Sequence, residues 1–374
     1  MRIAYLSRGN SVYDRRFLEK MLERGHKVYF ISYHPSEKVK VEGVENYFYN
    51  YPVMFRFPFA RAFQVSFHLR KLLKQLGPDV LHTGWIPDHG FFGALCGFKP
   101  TLSMPWGSDI LIKPKESFMQ KIITGFTLRR ADKITCDAEF VKKEIVRISG
   151  CLSDKVIVFP WGIDLKTFCP LDGKSVIREN LGWQDKKILI MTRSMEKPLY
   201  GHETFISALP AIIEKIPDTR IILVGDGLLK EKIKKQVIAL NLKNYIYFAG
   251  WVNEGKMAEY LNAADIYVSA SISDGTSCSL LEAMACKLPV VVTDIPANRE
   301  WVVDGINGYL VPIKDVNMLS STIIKILKNE QSWESFGIKN RKIVEAKADW
   351  ENNFSILEEI YTKLVDSNSG GSKN

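Results

Sequence analysis

Two carboxylates, Asp274 and Glu282, stand eight residues apart around a short polar run, Gly275-Thr276-Ser277-Cys278. The pattern reads as a loop over 273–277, a helix from about Cys278 to Cys286, and a buried strand over 289–293. Glycine at 275 lets backbone approach a ligand closely, because no Cβ stands in the way. The first N–H groups of the helix lack intrahelical partners. With the positive end of the helix dipole, they make a place for phosphate. Acids beside such a place suit a ligand that also carries hydroxyls, since carboxylates accept hydrogen bonds from them. The same residues also suit a plain helix cap at Asp274, with Glu282 on a solvated face.

A diphosphate held there would need fixed positive charge where charge develops as a bond to it breaks. Arg193, at the end of an apolar strand over 188–192, is the first candidate, and Lys197 is the second. Gly225 opens a Gly-Asp-Gly turn after another apolar strand, 220–224, without the full dinucleotide fingerprint or a P-loop lysine. No group of His, Cys, Asp or Glu has metal-ligand spacing, so no metal is expected.

The longer run SISDGTSCSLLEAMACKLPVVVTDIPANREWVVDGINGYLVP, residues 271–312, resembles the donor-binding motif of glycosyltransferase family 4. That motif has two acids eight apart, then LLEAMA, a short turn, PVV and a downstream loop containing Glu. Asp274 stands where most members carry Glu, one methylene longer. Farther upstream, RSMEKPLYG resembles the family's Arg…Lys-Gly pattern with a stretched spacing to Gly201. Trp106-Gly107-Ser108-Asp109 falls where the family often reads His-Gly-Thr/Ser-Asp.

The resemblance implies an α/β chain of GT-B architecture, with two Rossmann-like open parallel-sheet domains facing a cleft. It implies a retaining, metal-independent enzyme without a cofactor. Such an enzyme moves a sugar from a nucleoside diphosphate, UDP favoured, to a lipid- or polysaccharide-linked glycan acceptor. On that reading Arg193 and Lys197 meet the diphosphate, Asp274 the sugar and Glu282 the ribose hydroxyls. Gly275, Thr276, Ser277 and Cys278 complete the diphosphate cradle. Gly9 and Gly225 approach the donor, and Trp251 and Val252 border the base. Asn10, His82, Trp106 and Asp109 lie on the acceptor side. Trp106 is suited to stack on a sugar, Asp109 equally to cap the next helix, and His82 equally to be structural. Two alternatives stay open: a GT-B type sugar-nucleotide epimerase, and a non-catalytic subunit that binds a partner glycosyltransferase.

The elements that must position these residues follow from the chain as a whole. With 374 residues, 46% hydrophobic and 25% charged, it has the length and composition of two globular domains. Apolar strands alternate with helices in both halves, which argues for parallel sheets with ligands beyond their carboxyl ends. The loop Pro160–Pro170 resembles the family's interdomain linker. It sets expected domains at 1–168 and 169–349, a terminal helix over 350–366 returning to the first domain, and a flexible tail over 367–374. Residues 82–85 read as the loop after a strand at 79–82.

Residues 1–170 hold 26 Lys and Arg against 16 Asp and Glu, so the excess positive charge lies in the first half. Phenylalanines interleave there with Arg56, Arg61, Arg70, Lys71 and Lys74. The stretch 53–74 fits either a core-packing helix with a solvated basic face or a contact with an anionic membrane surface. No nucleic-acid module is present, so no nucleic-acid partner is expected. Six cysteines without C-x-x-C spacing, and an N-terminus that starts directly with a strand, point to a cytoplasmic location, with the inner membrane face as a peripheral site.

Overall fold

A computed structural model of the chain describes residues 1–9, 11–34, 39–49, 58–171 and 175–370. Asn10, residues 53–57 of the expected membrane contact and residues 371–374 of the expected tail lie outside them. The chain forms two compact units: Met1–Pro160 together with the segment from Phe354 onward, and Trp161–Asn353.

The first unit is built on β1 (Arg2–Leu6), α1 (Val12–Glu23), β2 (Lys27–Ser32), β3 (Glu45–Phe48), α2 (Pro58–Leu76), β4 (Val80–Gly84) and α3 (Phe91–Cys96). It continues through β5 (Thr101–Met104), α4 (Ser108–Leu111), α5 (Lys113–Glu116), α6 (Phe118–Arg130), β6 (Lys133–Cys136), α7 (Glu139–Ser149) and β7 (Val156–Val158). The strands run parallel in the order β3-β2-β1-β4-β5-β6-β7. β1, β2 and β4 are short apolar runs buried almost throughout, as strands covered on both faces must be. The order of connection reverses between β1 and β4, so their carboxyl ends form the switch point where α/β sheets take ligands.

The second unit contains α8 (Val176–Leu181), β8 (Lys187–Met191), α9 (His202–Lys215), β9 (Thr219–Val224), α10 (Lys230–Ala239), β10 (Ile246–Gly250) and α11 (Glu254–Ala263). There follow β11 (Ile266–Ser269), α12 (Cys278–Ala285), β12 (Val290–Thr293), α13 (Pro296–Arg299), β13 (Gly308–Val311), α14 (Val316–Lys328) and α15 (Gln331–Lys347). Its parallel sheet has the order β10-β9-β8-β11-β12-β13, with the switch point between β8 and β11. Two Rossmann-like units are thus the fold that the resemblance implied.

Four details differ from the sequence reading. Tyr47 and Phe48, ahead of the 53–74 stretch, belong to a strand, β3, at the edge of the first sheet, where they pack edge-on against Tyr29 and Phe30 of β2. Residues 82–84 belong to β4 rather than to the loop after it, because they pair with Leu102, Ser103 and Met104 of β5. The second unit begins at Trp161, ahead of the expected 168/169 boundary. There the Ile163 N–H donates to the Ala348 carbonyl and the Trp350 N–H to the Ile163 carbonyl, which ties this stretch to the end of α15. The last helix, α16 (Trp350–Gly370), runs into the expected tail; the Ser367 hydroxyl donates to the Lys363 carbonyl within it.

Candidate active site

The residues expected to meet a diphosphate gather at the switch point of the second unit. Arg193 follows β8 directly, and Asp274 with the start of α12 follows β11. Arg193 Nη1 donates to Ser277 Oγ at 2.6 Å, and Nη2 donates to Asp274 Oδ2 at 2.6 Å. Ser277 caps α12, its hydroxyl also accepting from the Leu280 N–H. The guanidinium carbon lies 4.4 Å from the ring centre of Tyr200, and only 7% of Arg193 is exposed. A guanidinium fixed on three sides keeps its planar fork oriented before any ligand arrives.

Backbone contacts fix Arg193 as firmly. The Ser279 hydroxyl donates to the Thr192 carbonyl at 3.0 Å, and His202 Nε2 lies 3.2 Å from the Arg193 carbonyl. A Cβ on Gly225 would stand 2.4 Å from that same carbonyl oxygen. The Gly225 N–H is already used, donating to the Gly250 carbonyl. Gly225 therefore lets backbone pack against Arg193, a positioning role that the sequence reading did not give it. Its freedom from a side chain is used up by protein backbone.

Burial pushes the Asp274 carboxyl above its ordinary pKa, opposed by the Arg193 guanidinium and by the Gly275 N–H. Glu282 sits half-buried inside α12. Tyr267, on β11, feels all three charges: burial drives its hydroxyl up to about 12, Arg193 opposes this, and Glu282 and Asp274 add to it. Its Oη is buried without a partner among the described residues. Neither Tyr267 nor Tyr200 was expected from the sequence. Nothing local marks Tyr267, and Tyr200 carries only its place in the loop after Arg193.

The remaining expected residues divide. Gly275 and Cys278 are buried and Thr276 half-buried at the start of α12. Lys197 is exposed on the loop after Arg193, outside the hydrogen-bonded cluster. Trp251 is 68% exposed just past β10, whereas Val252 packs against the core of its unit. In the first unit Gly9 has φ +75°, and its carbonyl accepts the Val39 N–H at 2.6 Å. Trp106 is half-buried and edge-on to Tyr13; a Cβ on Gly84 would lie 2.8 Å from its indole nitrogen.

Two acceptor-side expectations are corrected. Asp109 is fully buried and accepts the Trp106 N–H at 2.8 Å and the Ile86 N–H at 3.1 Å, so it ties two loops together. Burial pushes its carboxyl up to about 6, opposed by those N–H groups. His82 is fully buried within β4, its Nδ1 2.5 Å from Tyr361 Oη, and burial lowers its pKa to about 3. Neither side chain can touch a ligand from there. Among the described residues no three His, Cys, Asp or Glu side chains gather as metal ligands would.

Family profiles match both units. The one described as Glycosyl transferases group 1 covers residues 173–343, and the one described as Glycosyltransferase Family 4 covers residues 8–167. An uncharacterized glycosyltransferase of Methanocaldococcus jannaschii is 27% identical over 79% of each chain. An Escherichia coli UDP-Gal:alpha-D-GlcNAc-diphosphoundecaprenol alpha-1,3-galactosyltransferase is 29% identical over 69% of this chain and 68% of its own. Among solved structures, an Anabaena protein in complex with UDP superposes with a TM-score of 0.81 at 18% identity. That superposition covers 97% of this chain and 100% of the other.

Proposed function

We propose that this chain, a member of the GT-B fold glycosyltransferase superfamily, is a family 4 enzyme that transfers a hexose from UDP to a lipid- or polysaccharide-linked acceptor with retention of configuration. The observation that carries this reading is the Arg193 guanidinium, locked between Ser277 and Asp274 at the N-terminus of α12. Breaking the bond between sugar and diphosphate leaves new negative charge on the leaving phosphate. An oriented guanidinium and the positive end of the α12 dipole stabilise that charge without having to reorganise. These groups supply the positive charge that a divalent ion could otherwise bring, and we assign the reaction to them. Glu282 takes the ribose hydroxyls and Asp274 the sugar, while the exposed Trp251 indole offers a face to the base.

The uridine preference draws on the Escherichia coli relative, whose name specifies UDP-Gal and a diphosphoundecaprenol acceptor. Substituting Arg193→Lys keeps one charge but cannot reach both Ser277 and Asp274. Slow donor hydrolysis and transfer are expected to fall at least about 100-fold in Arg193→Lys and further in Arg193→Ala, while circular dichroism shows that the fold survives. Unchanged hydrolysis in both variants would remove the assignment. Turnover of the nucleotide sugar to an isomer, without release of sugar or nucleotide, would support the epimerase alternative instead.

We also place the enzyme on the cytoplasmic face of an anionic membrane. On α2, Phe63 and Phe67 are 63% and 76% exposed, and Arg70, Lys71 and Lys74 continue the same exposed stripe. No acidic residue falls within α2. Aromatic rings at the headgroup level with cations beside them suit such a surface. Flotation with anionic vesicles should drop severalfold in the variant with Phe63 and Phe67 as Ser and the three cations as Gln. Equal flotation of both proteins would argue against the contact.

A further inference from the structure

The first unit carries a built cluster at its own switch point, between the carboxyl ends of β1 and β4, that the donor site does not use. Arg8 follows β1, and Trp85, Asp88 and His89 follow β4. Arg8 Nε and Nη2 both donate to Asp88 Oδ2, at 2.8 and 2.6 Å. The other carboxylate oxygen of Asp88 accepts the His89 N–H at 2.5 Å and meets His89 Nδ1 at 2.7 Å. The Tyr33 N–H donates to His89 Nε2 at 3.2 Å. That backbone donor makes Nε2 the acceptor and puts the ring proton on Nδ1, where it points at Asp88.

Every link of this chain is therefore directed toward one end. His89 is buried and oriented by Tyr33, Asp88 is oriented by His89, and Arg8 is oriented by Asp88. Trp85 adds a second constraint, its ring centre 4.2 Å from the Arg8 guanidinium carbon, on a backbone held at φ +54°. The Ser32 hydroxyl donates to the Arg8 carbonyl at 2.9 Å and fixes the backbone as well. Asp88 uses both oxygens, and against the effect of burial the His89 hydrogen bond and the Arg8 guanidinium hold its carboxyl below the ordinary carboxylate range. Arg8 spends only two of its five N–H donors; the other three have no partner among the described residues, and its side chain is 33% exposed.

A guanidinium held along one edge, with its other edge open at a switch point, is a recognition device for an oxyanion. We propose that Arg8 is the acceptor-side anchor for a phosphate group, with Asp88 and His89 as its positioning residues. This rests on the transfer reading above: the acceptor carries a phosphate group. The phosphate belongs either to a lipid-linked diphosphate or to a soluble phosphorylated sugar, which share the same chemistry.

The test is a binding experiment that needs no turnover, so it can fail or succeed independently of the transfer assignment. Calorimetric titrations with inorganic diphosphate and with geranyl diphosphate would compare full-length wild type and Arg8→Gln. Each would be repeated with Arg193→Gln to remove donor-side binding. Arg8→Gln is expected to weaken the remaining site at least about tenfold. Preference for geranyl diphosphate would assign a lipid-linked acceptor, and equal affinity a soluble one. Asp88→Asn separates positioning from charge: loss of a neighbouring negative charge alone would tighten anion binding, whereas loss of the oriented fork weakens it. Phenylglyoxal labelling of the wild type, read by mass spectrometry, requires no variant to fold, and diphosphate should protect Arg8. Wild-type affinity in Arg8→Gln, tighter binding in Asp88→Asn, or an unprotected Arg8 would each overturn the proposal.

Discussion

At the scale of single residues, the site turns on the Arg193–Asp274 pair. Asp274 sits where it both orients the guanidinium and competes with any phosphate for it. Removing the carboxylate charge should therefore split binding from chemistry. In Asp274→Asn, UDP should bind up to about tenfold more tightly, since a charge-assisted hydrogen bond no longer has to be displaced. Transfer should nonetheless fall by at least about 100-fold, because the sugar loses its acceptor group and the fork its orientation. Asp274→Glu, which restores the longer acid usual in the motif, should keep transfer within about tenfold of wild type. Calorimetry with UDP and a transfer assay on the same samples measure the two effects separately. Parallel losses of affinity and rate in Asp274→Asn would mean that the carboxylate does no more than hold the loop.

At the scale of elements, the two sheets put their chemistry at the switch points by way of glycines that admit backbone. Gly225 is the sharpest case, with φ +134° and the Arg193 carbonyl where its Cβ would be. Gly150 ends α7 with φ +66° and open space around it. Gly150→Ala is expected to cost about 1 kcal/mol through backbone conformation alone, with activity unchanged. Gly225→Ala should cost more, of order 1–3 kcal/mol, and should lower turnover as well by shifting Arg193. Urea titrations with hydrolysis rates for both variants check this, and equal effects on rate would disconnect Gly225 from the site. The elements themselves were largely legible, because buried parallel strands such as KILIM and VVVT announce themselves as apolar runs. The start of α12 at Cys278 was legible too, although the cap read at Asp274 is held by Ser277. Tyr267 and the Asp88–His89 chain were not, because their partners are supplied by tertiary packing from distant strands. His82 stayed open between a structural and an acceptor-side reading for the same reason: its environment is set by Tyr361, 279 residues away.

At the scale of the whole molecule, α16 closes the first unit through a buried polar contact whose stability depends on pH. His82 Nδ1 meets Tyr361 Oη, while Nε2 is buried with no partner among the described residues. Burial lowers the His82 pKa from 6.5 to about 3. Between those values the unfolded chain binds more protons than the folded one, so stability rises with pH and is lost as pH falls below 6.5. His202 in the second unit is shifted the same way, to about 4, chiefly by burial. From neutral pH to pH 5 the His82 term alone should remove about 2 kcal/mol. Tyr361→Phe leaves Nδ1 without its partner and should cost about 1–2 kcal/mol at pH 7. The double variant His82→Leu with Tyr361→Phe replaces both polar groups by apolar ones, and should lose less at pH 7 and less again on acidification. Hydrogen exchange of α16 and urea titrations at pH 7 and pH 5 would show a shallower acid dependence in the double variant. Identical acid dependence in wild type and double variant would place the pH-sensitive contact elsewhere and leave His82 as a packing residue only.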